Sequence, residues 1–277
     1  MKPSAFPLIK LSATGNDFLL VDLISAPHRQ QWEEDFGKHQ RPKLVQAWCD
    51  RHEGLGADGL VFLESDKTLD FAWDFYNSDG GSAEMCGNAA RAASLYFYKT
   101  HGKFDLKFRS KIGEVQALVR SADDIEVTLT KINECSWNQL MPWQGTQMHY
   151  DFVRAGVPHA VIKVPSLKER DSLKTLALHV KSQPHFQKEG VNVTFVRALT
   201  QSQVESVTFE RGVEGFTRAC GTGAVAAAYS LLQGEESREI EVQVPGGTLF
   251  VICKDGRPHL RGPAKIIAEM HVFKENL

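Results

Sequence analysis

The chain has 277 residues, 42% of them hydrophobic, and 32 Lys and Arg against 34 Asp and Glu give a net charge of −2. That is ample for one large or two medium domains, and with no strongly basic arm or stripe it argues against nucleic acid as the main partner. The opening MKPSAFPLIKLSATGNDF holds no apolar core of signal-peptide length, and the longest apolar run, at 224–232, is far too short to span a bilayer, so a cytoplasmic protein without a membrane partner is expected.

Each half reads as short strands, then one helix, then more strands, and in chain order a first helix is expected over Lys43–His52. An alanine-rich helix follows Cys86. LKFRS, EVQALV and IEVTL then alternate apolar and polar residues as half-buried strands do. A junction is expected near Thr130, and Pro142, Gly145 and Pro165 read as loop markers. GVPHAVI (156–162), a helix over Leu167–Lys181, and the alternating runs VTFVRAL and ESVTFER lead to a second alanine-rich helix after Cys220. EIEVQV and TLFVIC close the series.

The two alanine-rich segments, EMCGNAARAASLY and RACGTGAVAAAYS, superimpose at an offset of 134 residues, Cys86 on Cys220 and Gly87 on Gly221. At the same offset Gly113 falls on Gly247 and Asp58 on Asn192. Nearer the start the offset is 141, and GNDFLLV overlays GVPHAVI. Four landmarks in one order imply an internal duplication. The expected fold class is α/β with two pseudo-symmetric domains, each a curved, mostly antiparallel sheet wrapped around a central helix of small residues. The halves are taken as 1–130 and 131–263.

Five cysteines without a C-x-x-C pair argue against a disulfide framework or a zinc site, and no metal is expected. A cysteine at a helix start lies beside unpaired N–H groups and the positive end of the helix dipole, which favours the thiolate. The N–H groups of Gly87 and Asn88, and of Gly221 and Thr222, suit a carboxylate. Two helix starts facing one interdomain cleft would put a sulfur on either face of a bound carbon. One group then removes a proton and the other delivers one to the opposite face, as racemisation and epimerisation require, with no cofactor.

These residues also carry a family resemblance. Ser78-Asp79-Gly80 with Met85-Cys86-Gly87-Asn88 and Arg91, and Ala219-Cys220-Gly221-Thr222-Gly223, resemble the two active-site signatures of the diaminopimelate epimerases. Gly15-Asn16-Asp17-Phe18, Gly54 to Gly59, Gly190 to Val193, Glu210-Arg211-Gly212, Pro245-Gly246-Gly247 and Gly262-Pro263-Ala264 match in order over nearly the whole chain. The resemblance implies a cofactor-independent isomerase interconverting LL- and meso-diaminopimelate in lysine and peptidoglycan synthesis. It implies that Cys86 and Cys220 are the two bases, that His159 and Glu210 assist them, and that Asn77, Asn192 and Arg211 bind the distal end of the substrate, with Asn16 lining the cleft. It implies too that the last residues, 264–277, return to the first half. Glu210 also suits the distal ammonium. A homodimer is left open.

The chain departs from the family pattern at four places: Val157 stands for the usual asparagine before Pro158-His159, Phe216 for a glutamate, Ala89 for a glycine, and Ser12-Ala13 for His-Gly. Val157 keeps an alternative open, an amino-acid racemase of the same superfamily with another substrate. Gly221 to Ala226 also fits the G-x-G-x-x-A dinucleotide pattern, but no parallel βαβ series surrounds it. A cysteine hydrolase pairing one cysteine with His159 leaves the second Cys-Gly helix start unexplained. A binding protein without catalysis leaves two intact cysteines unexplained.

Overall fold

The structure, a computed structural model, describes residues 5–37, 40–233, 235, 238–254 and 256–273. The chain divides into two compact units, Met1–Val127 with Pro263–Leu277, and Thr128–Gly262. The segment expected to return to the first half is described as far as residue 273; residues 274–277 lie outside the described residues.

The first unit contains β1 (Ala5–Ala13), β2 (Asn16–Leu23), α1 (Ala26–Asp35), α2 (Arg41–Cys49), β3 (Gly59–Glu64), β4 (Phe71–Asn77), β5 (Ser82–Ala83), α3 (Gly87–His101), β6 (Asp105–Ser110), β7 (Gly113–Ser121) and β8 (Asp124–Thr128). The second contains β9 (Cys135–Trp143), β10 (Thr146–Ala155), β11 (Val157–Lys163), α4 (Arg170–Lys181), α5 (Pro184–Gln187), β12 (Asn192–Ala198), β13 (Gln203–Glu210), β14 (Gly215–Phe216), α6 (Gly221–Leu232), β15 (Ile240–Val244), β16 (Gly247–Lys254) and β17 (Arg257–Gly262). The last strand, β18 (Lys265–Phe273), returns to pair with β1.

Across the first sheet the order is β18, β1, β2, β3, β4, β6, β7, β8, with β5 added to β4. Across the second it is β9, β10, β11, β12, β13, β15, β16, β17, with β14 added to β13. Each sheet is antiparallel except at two joins, and these fall at matching places: β2–β3 and β4–β6 in the first, β11–β12 and β13–β15 in the second. A parallel join needs a crossover. The first join of each sheet is bridged by a helix pair, α1 with α2 or α4 with α5, and the second by the alanine-rich helix, α3 or α6. The α/β class and the repeat of one topology thus follow from the strand pairing itself.

Small side chains let α3 and α6 lie close on their sheets. Ala89, Ala90, Ala92 and Ala93 of α3 and Ala224, Ala226, Ala227 and Ala228 of α6 are all buried. α3 packs on β1, β2, β7 and β18, and α6 on β10, β11, β12, β13, β15 and β16. The helix pairs cover a second apolar layer. In the first unit Phe6, Trp32, Phe36, Trp48 and Phe62 meet mostly edge to face, centroids 4.8–6.0 Å apart. In the second, Ala160, Ile162, Leu173, Ala177, Val193, Phe195, Val207 and Phe209 form the corresponding core.

Some boundaries differ from the expectations. The helix expected from Lys43 begins at Arg41, because Pro42 suits a first turn that needs no N–H, and ends at Cys49. That expected from Leu167 begins at Arg170. Helix α1 was not anticipated; it starts at the Ser25 cap, whose hydroxyl accepts the His28 N–H, with Pro27 in its first turn. Pro142 is not a loop residue but lies in β9. That strand pairs only with β10 among the described residues, so the missing N–H sits on an edge, and its carbonyl accepts from His179 Nε2 at 2.7 Å.

Candidate active site

Cys86 and Cys220 are the N-cap residues of α3 and α6, with extended backbones at φ −142°, ψ 112° and φ −108°, ψ 114°. Each sulfur accepts the N–H three residues on, Ala89 N–H at 3.5 Å and Gly223 N–H at 3.3 Å. Both thiols therefore occupy the seat that a serine or aspartate cap takes, beside a helix dipole's positive end. The other cysteines are elsewhere: Cys49 is buried in the first core and its thiol is pushed up to about 12 by that burial, Cys253 is buried and bonded by the Tyr229 hydroxyl, and Cys135 is exposed.

Around Cys86, Asn88 and Arg91 are buried. The Arg91 guanidinium donates to Thr14 Oγ1 at 2.7 Å, Asn88 Oδ1 at 2.8 Å and the Gly87 carbonyl at 3.3 Å. Burial pushes it down to about 10, partly opposed by Cys86, so it remains charged at neutral pH. It ties the first turn of α3 to the β1–β2 turn, where Thr14 and Gly15 both take positive φ, 51° and 86°. Asn16 is the next residue, and its Oδ1 is buried with no hydrogen-bond partner among the described residues. Asn77 ends β4 in a turn closed by its own N–H to the Gly81 carbonyl.

In the second unit, strand alternation sorts the residues by face. Ala160, Ile162, Val193, Phe195, Val207 and Phe209 point to the outer core, so His159, Asn192, Thr194 and Thr208 occupy the other face, with α6. His159 is fully buried. Its Nδ1 lies 2.9 Å from Thr194 Oγ1 and its Nε2 3.0 Å from Thr222 Oγ1, which lies 3.4 Å from Cys220 Sγ. Asn192 Nδ2 is 3.4 Å from the same Nε2, and Thr194 Oγ1 is 3.1 Å from Thr208 Oγ1. At Gly223 an added Cβ would stand 2.2 Å from Thr208 Oγ1, so only glycine lets α6 begin this close to the strand.

Glu210 ends β13, accepts from the Thr217 hydroxyl, and adjoins Arg211. Arg211 gives its backbone N–H to Asn192 Oδ1 at 2.9 Å and its guanidinium to the Glu189 carbonyl. At the 134-residue offset Arg211 falls on Asn77; Asn77 ends and Arg211 directly follows the strand that carries the short added one. Val157 opens β11 after the turn at Gly156, φ 79°, as Asn16 opens β2 after Gly15. Phe216 packs on the outer core against Phe209 and Phe195, under the Arg170 guanidinium, and so faces away from His159.

The second unit thus brings His159, Asn192, Cys220 and Thr222 into one hydrogen-bonded group, with Glu210 and Arg211 at its strand end. The first gathers Cys86, Gly87, Asn88 and the Thr14–Asn16 turn through Arg91. Thr194, Thr208 and Thr217 were not singled out from sequence. Their signal was a threonine at the inward position of an otherwise apolar strand, which is common. Among the described residues no three His, Cys, Asp or Glu side chains are grouped as metal ligands would be, and no helix is long and apolar enough to cross a membrane.

Burial pushes the His159 imidazolium down to about 3 from the ordinary 6.5, helped by the Arg211 charge. The unfolded chain therefore takes up a proton that the native ring refuses. The stabilisation is whole above about pH 6.5 and is lost as pH falls towards 3, by up to about 1.4 kcal/mol per pH unit. Urea unfolding between pH 7 and pH 4 is expected to show a steeper loss in the native protein than in His159→Gln. Parallel curves would refute the assignment.

Comparison with known proteins shows the family. The sequence model of the diaminopimelate epimerase family matches residues 8–133 and 152–267. The diaminopimelate epimerase of Aquifex aeolicus is 32% identical over 252 residues, covering 88% of each chain, and that of Nitratiruptor sp. is 35% identical over 255 residues, covering 90% of this chain and 87% of the other. Among solved structures, a hydroxyproline epimerase from Agrobacterium vitis superimposes with a TM-score of 0.69 at 13% identity, over 97% of this chain and 92% of the other. A phenazine biosynthesis protein of Bacillus anthracis gives 0.68 at 11%, over 98% and 99%; at such identities the two share the fold. With a family match spanning both units and relatives above 30% identity along most of its length, the chain belongs to the diaminopimelate epimerase family, a family of isomerases.

Proposed function

We propose that this chain interconverts LL- and meso-diaminopimelate by two-base proton transfer at the α-carbon, without a cofactor, in lysine and peptidoglycan synthesis. The observation that carries the reading is the pair of thiols capping α3 and α6 in equivalent positions of one repeated topology. One sulfur, as thiolate, takes the α-hydrogen, and the other, as thiol, returns a proton to the opposite face. The N–H groups of Gly87, Asn88, Gly221 and Thr222 hold the α-carboxylate and stabilise the enolate-like charge that builds there. His159 and Glu210 assist proton movement. Glu210 and Arg211 suit the ammonium and carboxylate of a second amino-acid head. Asn77, Asn192 and Asn16 add neutral hydrogen bonds, and the unmet Asn16 Oδ1 is an acceptor ready for a substrate donor.

One observation favours a second reading, a racemase of the same superfamily with another substrate. Val157 is two residues from His159 on the same strand face, where a side chain that makes no hydrogen bond replaces the family's asparagine. Phe216, in contrast, packs in the outer core and does not bear on this choice. Measuring kcat/KM on LL-diaminopimelate and on amino acids with less polar far ends decides between them. On the first reading Arg211→Ala lowers kcat/KM for diaminopimelate by about 10- to 100-fold, the worth of a charge-assisted hydrogen bond. Val157→Asn leaves it unchanged or raises it by up to about tenfold. A native protein that prefers the less polar substrate would overturn the diaminopimelate reading.

A further inference from the structure

The hydrogen bonds around His159 have a direction. The Arg211 N–H donates to Asn192 Oδ1, which turns the amide so that Nδ2 faces His159 Nε2. An amide nitrogen only donates, so Nε2 presents its lone pair. The neutral ring then carries its hydrogen on Nδ1, aimed at Thr194 Oγ1 at 2.9 Å, and Thr194 Oγ1 is held in turn by Thr208 Oγ1 at 3.1 Å. On the other side the Thr222 hydroxyl, 3.0 Å from Nε2, donates to the lone pair and turns its oxygen to Cys220 Sγ at 3.4 Å. His159 and Thr194 are fully buried, and Asn192 and Thr208 are 4% exposed, so water does not compete for the bonds among these four.

We propose that Thr194, backed by Thr208, is a positioning residue that together with Asn192 locks His159 as the Nδ1–H tautomer, and that the Thr222 hydroxyl links the Nε2 lone pair to the Cys220 thiol. Along this path the Cys220 S–H bond breaks as its hydrogen joins Thr222 Oγ1, while the Thr222 hydroxyl hydrogen passes to Nε2. Thr222 ends as a neutral hydroxyl beside a thiolate and an imidazolium, and nothing is oxidised or reduced. The Nδ1–H bond to Thr194 survives the transfer, so the ring need not turn. Because burial disfavours the imidazolium, the charged ring is a transient of the transfer and the neutral Nδ1–H form is the resting one. The catalytic consequence rests on the roles proposed above for Cys220 and His159; the tautomer does not.

The test begins with long-range ¹⁵N–¹H NMR of the substrate-free full chain at neutral pH, the His159 ring being assigned by its loss in His159→Gln. A neutral ring protonated on Nδ1 is expected; one protonated on Nε2, or an imidazolium, overturns the proposal. In Thr194→Val, kcat is expected to fall about tenfold with KM changed less than about twofold, and Thr194→Ser to restore it, as one lost hydrogen bond predicts. Thr222→Val is expected to lower kcat and Thr222→Ser to retain it. Native kcat in a folded Thr194→Val or Thr222→Val overturns the proposal. If neither valine variant folds, the native ring's NMR signature still decides the tautomer. That measurement uses no substrate, so it reads the same whichever amino acid the enzyme turns over.

Discussion

Replacing Cys86 or Cys220 by alanine is expected to lower epimerisation by at least about a thousandfold, within the range that a positioned acid or base contributes. In the proposed mechanism each thiol serves one face of the α-carbon, so neither can stand in for the other. In D₂O the native enzyme is expected to place deuterium at that carbon during turnover. A variant that keeps the abstracting thiol still exchanges hydrogen but does not invert the centre. Both sulfurs also cap helices, and losing a cap costs about 1 kcal/mol, too little to unfold a chain of this size. Cys86→Ser and Cys220→Ser separate the two roles. A hydroxyl keeps the cap but is a far weaker acid than a thiol, so these variants are expected to unfold as the native protein does and still epimerise poorly. Chiral separation of the diaminopimelate isomers gives the rate. Near-native turnover in either alanine variant would remove the two-base reading.

Arg91→Met is expected to cost about 3–5 kcal/mol of stability, the largest structural effect among the single changes considered. The side chain is fully buried, and its guanidinium serves Thr14, Asn88 and the Gly87 carbonyl together. A methionine fills much of the space but makes none of these bonds. Each buried acceptor that loses its donor costs roughly 1–3 kcal/mol. Arg91→Lys is expected to rescue little, because one ammonium on a shorter reach does not match a planar fork. The change also loosens the tie between the Thr14–Gly15 turn and the start of α3, so epimerisation is expected to weaken at temperatures where the variant is still folded. Urea unfolding followed by circular dichroism measures the first effect. A midpoint shifted by no more than Cys86→Ala shifts it would show that Arg91 is not the tie described.

What the sequence by itself determined is local or repeated. The Cys-Gly helix starts were legible because capping and alanine content act within one turn. The strand runs were legible because a half-buried strand alternates every second residue. The repeat was legible because 134 residues separate like from like across several landmarks, and the two strand orders express it. Helix α1 was missed because its polar residues carry no clear apolar stripe, its place being decided by Trp32 entering an aromatic core built from β1, α2 and β3.

The tertiary structure decided what depends on partners distant in the chain. Arg91 meets Thr14 across 77 residues, His159 meets Thr222 across 63 and Thr194 across 35. No local pattern distinguishes Thr194 from any other strand threonine. Its importance appears only when β11 and β12 run parallel and bring the His159 ring beside it. Phe216 shows the same limit. From sequence it is one of four departures that put recognition of the distal head in question, yet pairing with β13 turns its ring into the outer core, because a strand residue's face is set by register rather than by residue type.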